Sequence, residues 1–283
     1  MRRKLVTVRR PGRLLYRIGH HRFYQHYQTT LGRHLISVVI VVAAVLIVTG
    51  LLLHFANPHN TFDISRISIG DILAATLNTF SRMLVAYAAA LIVSVPLALG
   101  IASTPRAQRI FLPIADILQS VPVLAFFPVI VVFFLAYHAF ELAAIFVIFI
   151  QMIWNIVFPV IGGLQTIPDD IKSAAIVFDV HGWRRFWYIT LLAIVPFIVT
   201  GSLLAWAQGW TIVIVAEVLH TYIPRGTQSQ DLLGLGSLLV DSNAQGQSSV
   251  FMATLTAMIL LIALINLTIW QPLLRFSQRF RFD

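Results

Sequence analysis

The 283-residue chain contains no cysteine, which excludes disulfides, a thiolate nucleophile, iron–sulfur ligation and cysteine-bound zinc. It is also poor in charge. Asp, Glu, Lys and Arg together make up 11% of the residues, against roughly a quarter in soluble domains. A soluble enzyme of this length could not cover its surface with so few ionised groups, and the 58% apolar content points to a membrane protein. Nucleotide-binding and metal motifs are absent as well. No Gly-x-x-x-x-Gly-Lys-Ser/Thr occurs, so no P-loop holds nucleotide, and neither His-x-x-x-His nor His-Glu-x-x-His occurs to hold a metal. No arrangement of residues suggests catalysis. The expectation is a chain that is not an enzyme and binds no metal or cofactor of its own. His20, His21, His54, His138, His181 and His220 are scattered in the basic arm and near segment ends, and read as solvated or interfacial imidazoles.

Acid is scarcer than base. Twenty Lys and Arg face eleven Asp and Glu, a formal charge of +9, and only the placement of the cations can say whether nucleic acid, anionic lipid or membrane orientation is the cause. A hydrocarbon core about 30 Å thick needs about 20 helical residues. Six uncharged or nearly uncharged runs of that size are present, at 36–55, 72–102, 111–136, 140–162, 189–216 and 250–269. The second is interrupted by Arg82 and Pro96, and the third carries Asp116. The turn near Tyr137 and His138 is so short that the third and fourth runs should be antiparallel neighbours, with Glu141 starting the fourth. The expected fold is all-α and polytopic, with six transmembrane helices.

With the N-terminus inside, the inner segments hold seventeen of the twenty basic residues. The positive-inside rule then places both termini in the cytoplasm. The arm carries nine Lys and Arg, no acid, and interleaved Tyr16, Phe23, Tyr24 and Tyr27. Nucleic acid could bind such a segment, but an arm leading directly into a span reads first as a lipid-facing or orientation-setting element. A cleaved signal peptide does not fit, because the basic region and the apolar run are both too long and no small-x-small site follows. No repeat or linker divides the chain. The domain reading is a basic cytoplasmic arm over 1–35, one membrane domain over 36–276 and a short cytoplasmic tail over 277–283.

The polar interval between the fourth and fifth runs is the most informative stretch. Pro168 followed by Asp169 and Asp170 is favourable N-terminal helix chemistry, since proline needs no donor there and the acids complement the dipole. A short helix should run to about Phe178, with Ile171, Ala174, Ala175 and Phe178 on one apolar face. Such a helix at the cytoplasmic surface can dock into a groove on a soluble partner or lie on lipid, and periodicity alone leaves both open.

The order of features resembles the permease subunit of type I ABC importers, most closely the branch handling nitrate, sulfonates, taurine and related small anions. Those proteins carry a cytoplasmic Glu-Ala-Ala motif, a following glycine and a later Ile-x-Leu-Pro approach to the next span. Here Ser173-Ala174-Ala175 stands at the first, Asp179 at the glycine, and Ile189-Thr190-Leu191 at the approach. His181-Gly182-Trp183-Arg184-Arg185-Phe186 is similar to the family's Ser-x-Trp-x-x-Phe segment. Pro196 matches a second family proline, while Leu192 replaces the first. Earlier, Thr76, Leu77, Phe80, Arg82 and Pro96, then Pro113, Leu118, Gln119, Ser120, Val121 and Pro122, are similar to family patterns, with Gln119 in place of arginine. Later, Ala216-Glu217 and Gly234-Leu235-Gly236 resemble the stretch that closes the family core. The resemblance covers about 70–276.

It implies a MetI-like core with a cytoplasmic coupling helix between the fourth and fifth spans, in a multi-pass protein of the inner (cytoplasmic) membrane. It also implies the pathway subunit of an ATP-driven importer for a small anion such as nitrate, a sulfonate, taurine or bicarbonate. ATP and Mg would act in a separate ABC ATPase dimer, and an extracytoplasmic binding protein would deliver substrate. Docking then falls to Ile171, Ser173, Ala174, Ala175, Phe178, Asp179, His181, Gly182, Trp183, Arg184 and Arg185. Loss of the motif's glutamate and glycine suggests a specialised half, and Trp270-Gln271-Pro272 with the closing Phe280-Arg281-Phe282-Asp283 resembles the tail of longer anion permeases. Together these imply pairing with a non-identical second permease.

Polar residues within the runs are the remaining candidates. Arg82 costs at least a few kcal/mol in lipid, so it should face helices or water, either attracting an anion or satisfied as a structural cation; no acid lies beside it in the sequence. Gln119, Asn155 and Gln208 can line a pathway or bridge helices, whereas Gln151 reads as structural. Pro122 and Pro196 are candidate bends, Glu217 a gate or anchor, and Trp206 and Trp210 packing or belt residues before cavity ones. The alternatives to an ATP-driven permease are an ion-gradient-driven transporter, which would need buried relay acids that are not evident, and a non-transporting scaffold.

Overall fold

The computed structural model describes residues 68–280 apart from 224, 228 and 229. The basic arm, the expected span at 36–55 and the last three residues lie outside the described residues. Among the described residues every regular element is helical.

Helix α1, Ile69–Ala102, begins where the Ser68 hydroxyl accepts the Asp71 N–H at 3.3 Å, with Asp71 itself complementing the positive end of the helix. At about 1.5 Å per residue its 34 residues exceed the hydrocarbon thickness. Its inward stripe is small: Ala75, Thr79, Met83, Ala86, Ala90, Ser94 and Ala98 are buried, while Leu73, Leu77, Leu84 and Ile92 face outward. That distribution inverts a soluble helix. In lipid, large apolar side chains gain nothing by turning inward, and small ones let backbones approach. Ser94 uses the approach directly, donating to the Ile153 carbonyl on a neighbouring helix at 3.0 Å.

The expected third span departs from the sequence reading. It is two helices, α2 (Pro105–Ser120) and α3 (Val123–Leu135), bent by 82°. Val121 precedes a proline and is driven to an extended conformation (ψ 123°), and Pro122 then opens α3. After α3 the chain turns through His138, which has φ 51°, while the N–H groups of Tyr137 and Ala139 both donate to the Phe134 carbonyl. Helix α4, Phe140–Gln165, follows and packs against α3, as the short turn requires.

Helix α4 is the centre of the bundle. It packs along α1 on one side and along α6, Gly182–Glu217, on the other, so that Ala144, Val147, Ile148, Met152, Ile156 and Val160 are fully enclosed. The α4–α6 approach depends on Gly201, where a Cβ would stand 2.7 Å from the Asn155 carbonyl oxygen and 3.0 Å from the Ile156 Cα. Helix α7, Leu235–Ala244, leads to α8, Ser248–Phe280, which continues past the expected end at 269 and buries Trp270. The described residues thus hold four helices long and apolar enough to cross a membrane, or five if α2 and α3 form one broken span.

Between α4 and α6 lies the short helix α5, Asp169–Val177. Pro168 flanks it, and the chain leaves it through a Schellman turn. The Asp179 N–H donates to the Ile176 carbonyl at 3.1 Å and the Val180 N–H to the Ala175 carbonyl at 2.8 Å. Asp179 adopts φ 53° there, the left-handed conformation that normally selects glycine.

Gly201→Ala should lower the thermal stability of the purified protein, with a cost of about 1–3 kcal/mol, because the new methyl meets backbone that cannot yield locally. Gly100, with nothing near its Cβ direction, should tolerate alanine at no cost. Equal melting temperatures for the two variants would contradict a backbone contact at Gly201.

Candidate functional site

Three groups of residues carry the polar chemistry of the described fold. The first surrounds Arg82, whose guanidinium is only 4% exposed. Its Nε donates to Glu141 Oε2 at 2.6 Å and its Nη2 to Glu141 Oε1 at 2.8 Å, a bidentate fork. Its Nη1 donates to Glu217 Oε1 at 2.8 Å and to the Leu233 carbonyl at 3.0 Å. No acid neighbours Arg82 along the chain, yet in the fold two acids stand beside it. The two acids come from the start of α4 and the end of α6, far away along the chain, and fold topology alone brings them to α1.

Glu217 is fully buried and fully engaged. Besides Arg82, its Oε1 accepts the Thr79 hydroxyl at 2.7 Å, and its Oε2 accepts the Gly236 N–H at 2.7 Å. Thr79 in turn accepts the Leu235 N–H at 2.8 Å. The two glycines of Gly234-Leu235-Gly236 follow from this arrangement. A Cβ at Gly234 would collide with the Glu217 carboxyl, and one at Gly236 with Ile214 and the same carboxyl. Ser237 closes the turn by donating to the Leu232 carbonyl at 2.7 Å, and the Leu232 N–H donates to the Glu217 carbonyl at 3.0 Å. A guanidinium shared by two carboxylates has no electrostatic surplus to attract an anion.

Beyond this cluster, the His220 N–H and Nδ1 both meet the Asp231 carboxylate, at 2.9 and 2.6 Å. Nearby on α7, the Asp241 carboxyl is raised above its ordinary range, chiefly by burial and then by the Asp231 charge, with His220 opposing.

The second group lines a cavity of about 570 Å³ between the α2–α3 break, the middle of α4 and α6. Gln119, Asn155 and Gln208, three of the expected pathway residues, all line it, and so does Gln151, which the sequence suggested was structural. Gln151 Nε2 donates to Gln208 Oε1 at 3.2 Å, and Asn155 Nδ2 to the Gln151 carbonyl at 3.0 Å. Pro122 is not on the wall itself but sets the break whose neighbours Val121 and Val123 are. Arg82 and Glu217 do not line the cavity, and neither does Pro196, which lies inside α6. Trp206 and Trp210 are packing residues, set among Phe80, Tyr87 and Trp270 with ring centroids 5.6–6.5 Å apart.

The third group is the interval 169–188. The apolar face expected on α5 is divided: Ala175 is buried, whereas Phe178 is 78% exposed, with Ile176 and Val177 exposed beside it. The Schellman turn reverses the chain at Phe178 and leaves its ring projecting. Ser173, Ala174, Asp179, His181, Gly182, Arg184 and Arg185 are all exposed, and Ile171 is half-buried. Trp183 stacks on Phe186 at 5.5 Å and meets Trp187 edge-on at 5.6 Å. Asp179 Oδ1 lies 3.0 Å from His181 Nδ1, tying the turn to the start of α6.

Sequence reasoning missed Glu141 and Thr79 as parts of the site. Thr79 and Arg82, three apart on a helix, share a face, and an acid opening an apolar run just after a short turn was the other available signal.

Residues 90–279 match the family described as "binding-protein-dependent transport system inner membrane component". The chain is 32% identical over 141 residues to the nitrate import permease protein NrtB of Synechocystis, covering 50% of each. It is 28% identical to the bicarbonate transport system permease protein CmpB of the same organism, over 62% of this chain and 58% of that one. To the taurine transport system permease protein TauC of Escherichia coli it is 24% identical, over 59% and 58%. The chain thus spans about half the length of the curated relatives it matches first.

Arg82→Met should destabilise the fold by about 3–5 kcal/mol by stranding the buried Glu217 carboxylate. Adding Glu217→Gln to that variant should recover part of the loss. The check is thermal unfolding of the single and double variants; additive losses would refute direct coupling of the two side chains.

Proposed function

We propose a transport function from a plain premise: the chain belongs to the family of binding-protein-dependent transport system inner membrane components. It is the permease subunit of an ABC importer for a small anion, the class named for its nitrate, bicarbonate and taurine relatives. One observation carries the mechanism. A short helix, α5, stands between two long apolar helices with Phe178, Ile176 and Val177 uncovered and Arg184 and Arg185 beside them.

In this reading α5 and the following segment to Tyr188 dock on an ABC ATPase dimer, which binds ATP and Mg. Phe178 enters the partner's groove, Ser173 and Ala174 keep the approach unobstructed, and Arg184 and Arg185 anchor the rim. The Schellman turn and the Asp179–His181 contact fix α5 to the start of α6, so that movement of the docked helix passes into the span. Asp179 holds the conformation that glycine would hold, so docking geometry survives the substitution.

The cavity lined by Gln119, Asn155 and Gln208 belongs to the path, and Pro122 and Pro196 supply its bends. Arg82, with Glu217 and Glu141, clamps the opposite ends of α4 and α6 from those joined by α5. The seventeen inward-counted cations support an inner-membrane protein with both termini cytoplasmic. A soluble binding protein delivers substrate at the other face, and a second, non-identical permease completes the path.

Charge reversal at Arg184 and Arg185, or Ala174→Trp, should remove the ATPase from the purified complex while leaving the amount of permease unchanged. ATPase recovery equal to the parent's would overturn the docking assignment. A complex that yields a single permease sequence would overturn the heteromeric pairing alone.

A further inference from the structure

Helix α2, Pro105–Ser120, differs from the long apolar helices around it. Thr104 caps it by accepting the Ala107 N–H at 3.1 Å, and Pro105 opens it as a residue that needs no acceptor. Its 16 residues include Arg106, Arg109 and Asp116, and are too few and too polar to cross hydrocarbon alone. They sort by helical spacing. Ile110, Phe111, Ile114 and Ile117 form an apolar stripe, each 46–65% exposed, and the exposed Arg106, Arg109, Asp116 and Ser120 stand along its polar flank. Ala115, on the opposite side, is the buried residue of the helix.

The path of α2 through the membrane follows from its neighbours. Helix α1, long and apolar enough to cross, ends at Ala102, so α2 starts at that same membrane face with Ser103 and Thr104 between them. Helix α3 packs against α4, and its 13 residues cover about 20 Å of a core about 30 Å thick. Helix α2 therefore gains about 10 Å of depth over a length of about 24 Å, and the 82° bend between α2 and α3 agrees with so shallow a path. Its start, with both arginines, stands at headgroup level. The stripe behind them falls at about 5–10 Å, the depth of helices that lie in the interface.

We infer that α2 is an in-plane helix that holds anionic phospholipid, the phosphates on Arg106 and Arg109 and the acyl chains on Ile110, Phe111, Ile114 and Ile117. The side chains supply both halves of that ligand's chemistry. A guanidinium presents a fork of donors matched to phosphate oxygens, and the arginine stem lies along the acyl boundary while its head stays with the headgroups. Asp116 follows Arg109 by about two turns, deeper along the slope, so a headgroup meets two cations before it meets an acid. Protein packed on the stripe, from a second permease or from residues 1–67, would cover the isoleucines without needing paired cations at headgroup level. The inference goes beyond the transport reading: it needs a membrane-crossing chain, and neither the docking of α5 nor the nature of the solute.

The chain has no cysteine, so Ile114→Cys provides a unique labelling site. The full chain, carrying bimane there, is placed in phosphatidylcholine nanodiscs with phosphatidylcholine or phosphatidylglycerol as quencher, each bearing a doxyl group near its headgroup. Both lipids should quench, and the phosphatidylglycerol should do so at about one fifth of the concentration or less, since one basic residue at a membrane surface is worth about fivefold. Arg106→Gln with Arg109→Gln should make the two lipids equally effective and melt like the parent, both side chains being exposed. Arg106→Lys with Arg109→Lys should keep most of the preference, and Arg225→Gln, in the loop before α7, should keep all of it.

Absence of quenching by both lipids would put protein on the stripe and overturn the inference. Equal quenching by the two lipids in the parent, or a preference that survives in the double glutamine variant, would overturn it as well. A preference lost equally in Arg225→Gln would assign it to the overall charge of the chain and overturn the site. ATPase recovery by the same variants reads the α5 docking separately, so either result stands without the other.

Discussion

The buried guanidinium of Arg82 holds the described bundle together at one end. It is a single side chain on α1 with four hydrogen bonds, and they reach the first turn of α4, the last turn of α6 and the loop before α7. Arg82 and Glu217 are buried, so neither can exchange its partner for water, whereas Glu141 meets the guanidinium from a half-exposed position at the helix start. Helix association in a membrane lacks the hydrophobic drive that assembles soluble cores. A charged clasp at one end and close backbone contact at Gly201 in the middle supply the specificity that greasy surfaces cannot.

The same constraint explains the distribution of residue sizes. Alanines and serines line the inner stripe of α1, glycines mark the approaches of α6, and leucines and isoleucines face out. At the other end of α4 the design changes. There the chain emerges into α5, which leaves Phe178 and the neighbouring basic residues exposed. Polar satisfaction dominates one end of these helices and exposed apolar surface the other.

Much of this was legible in the sequence because the membrane imposes length and composition on each span. The apolar runs at 72–102 and 140–162 correspond to α1 and α4 within a few residues, and Pro168 with two aspartates marked α5. Gln119, Asn155 and Gln208 could be singled out because amides are expensive in lipid wherever they stand. What escaped was long-range pairing. Glu141 looked like the polar end of a run, and nothing local to Arg82 shows that an acid 59 positions away will clamp it. The divided third span escaped for a different reason: hydropathy is blind to direction, and Val121 before Pro122 redirects the chain without adding a single polar residue. Gln151 bridges to Gln208 across two helices and also lines the cavity, because which face of α4 borders that space depends on where α3 turns.

That turn has a consequence for solvent. At the break between α2 and α3 the last carbonyls of one helix and the first amides of the next have no ladder partners, and no side chain caps the start of α3. Together the two helices are apolar enough to cross a membrane, a setting in which exposed peptide groups persist only beside protein or water. Val121 and Val123 border the carboxamide cavity, so the unladdered peptide groups of the break lie where a polar pocket, rather than lipid, can meet them.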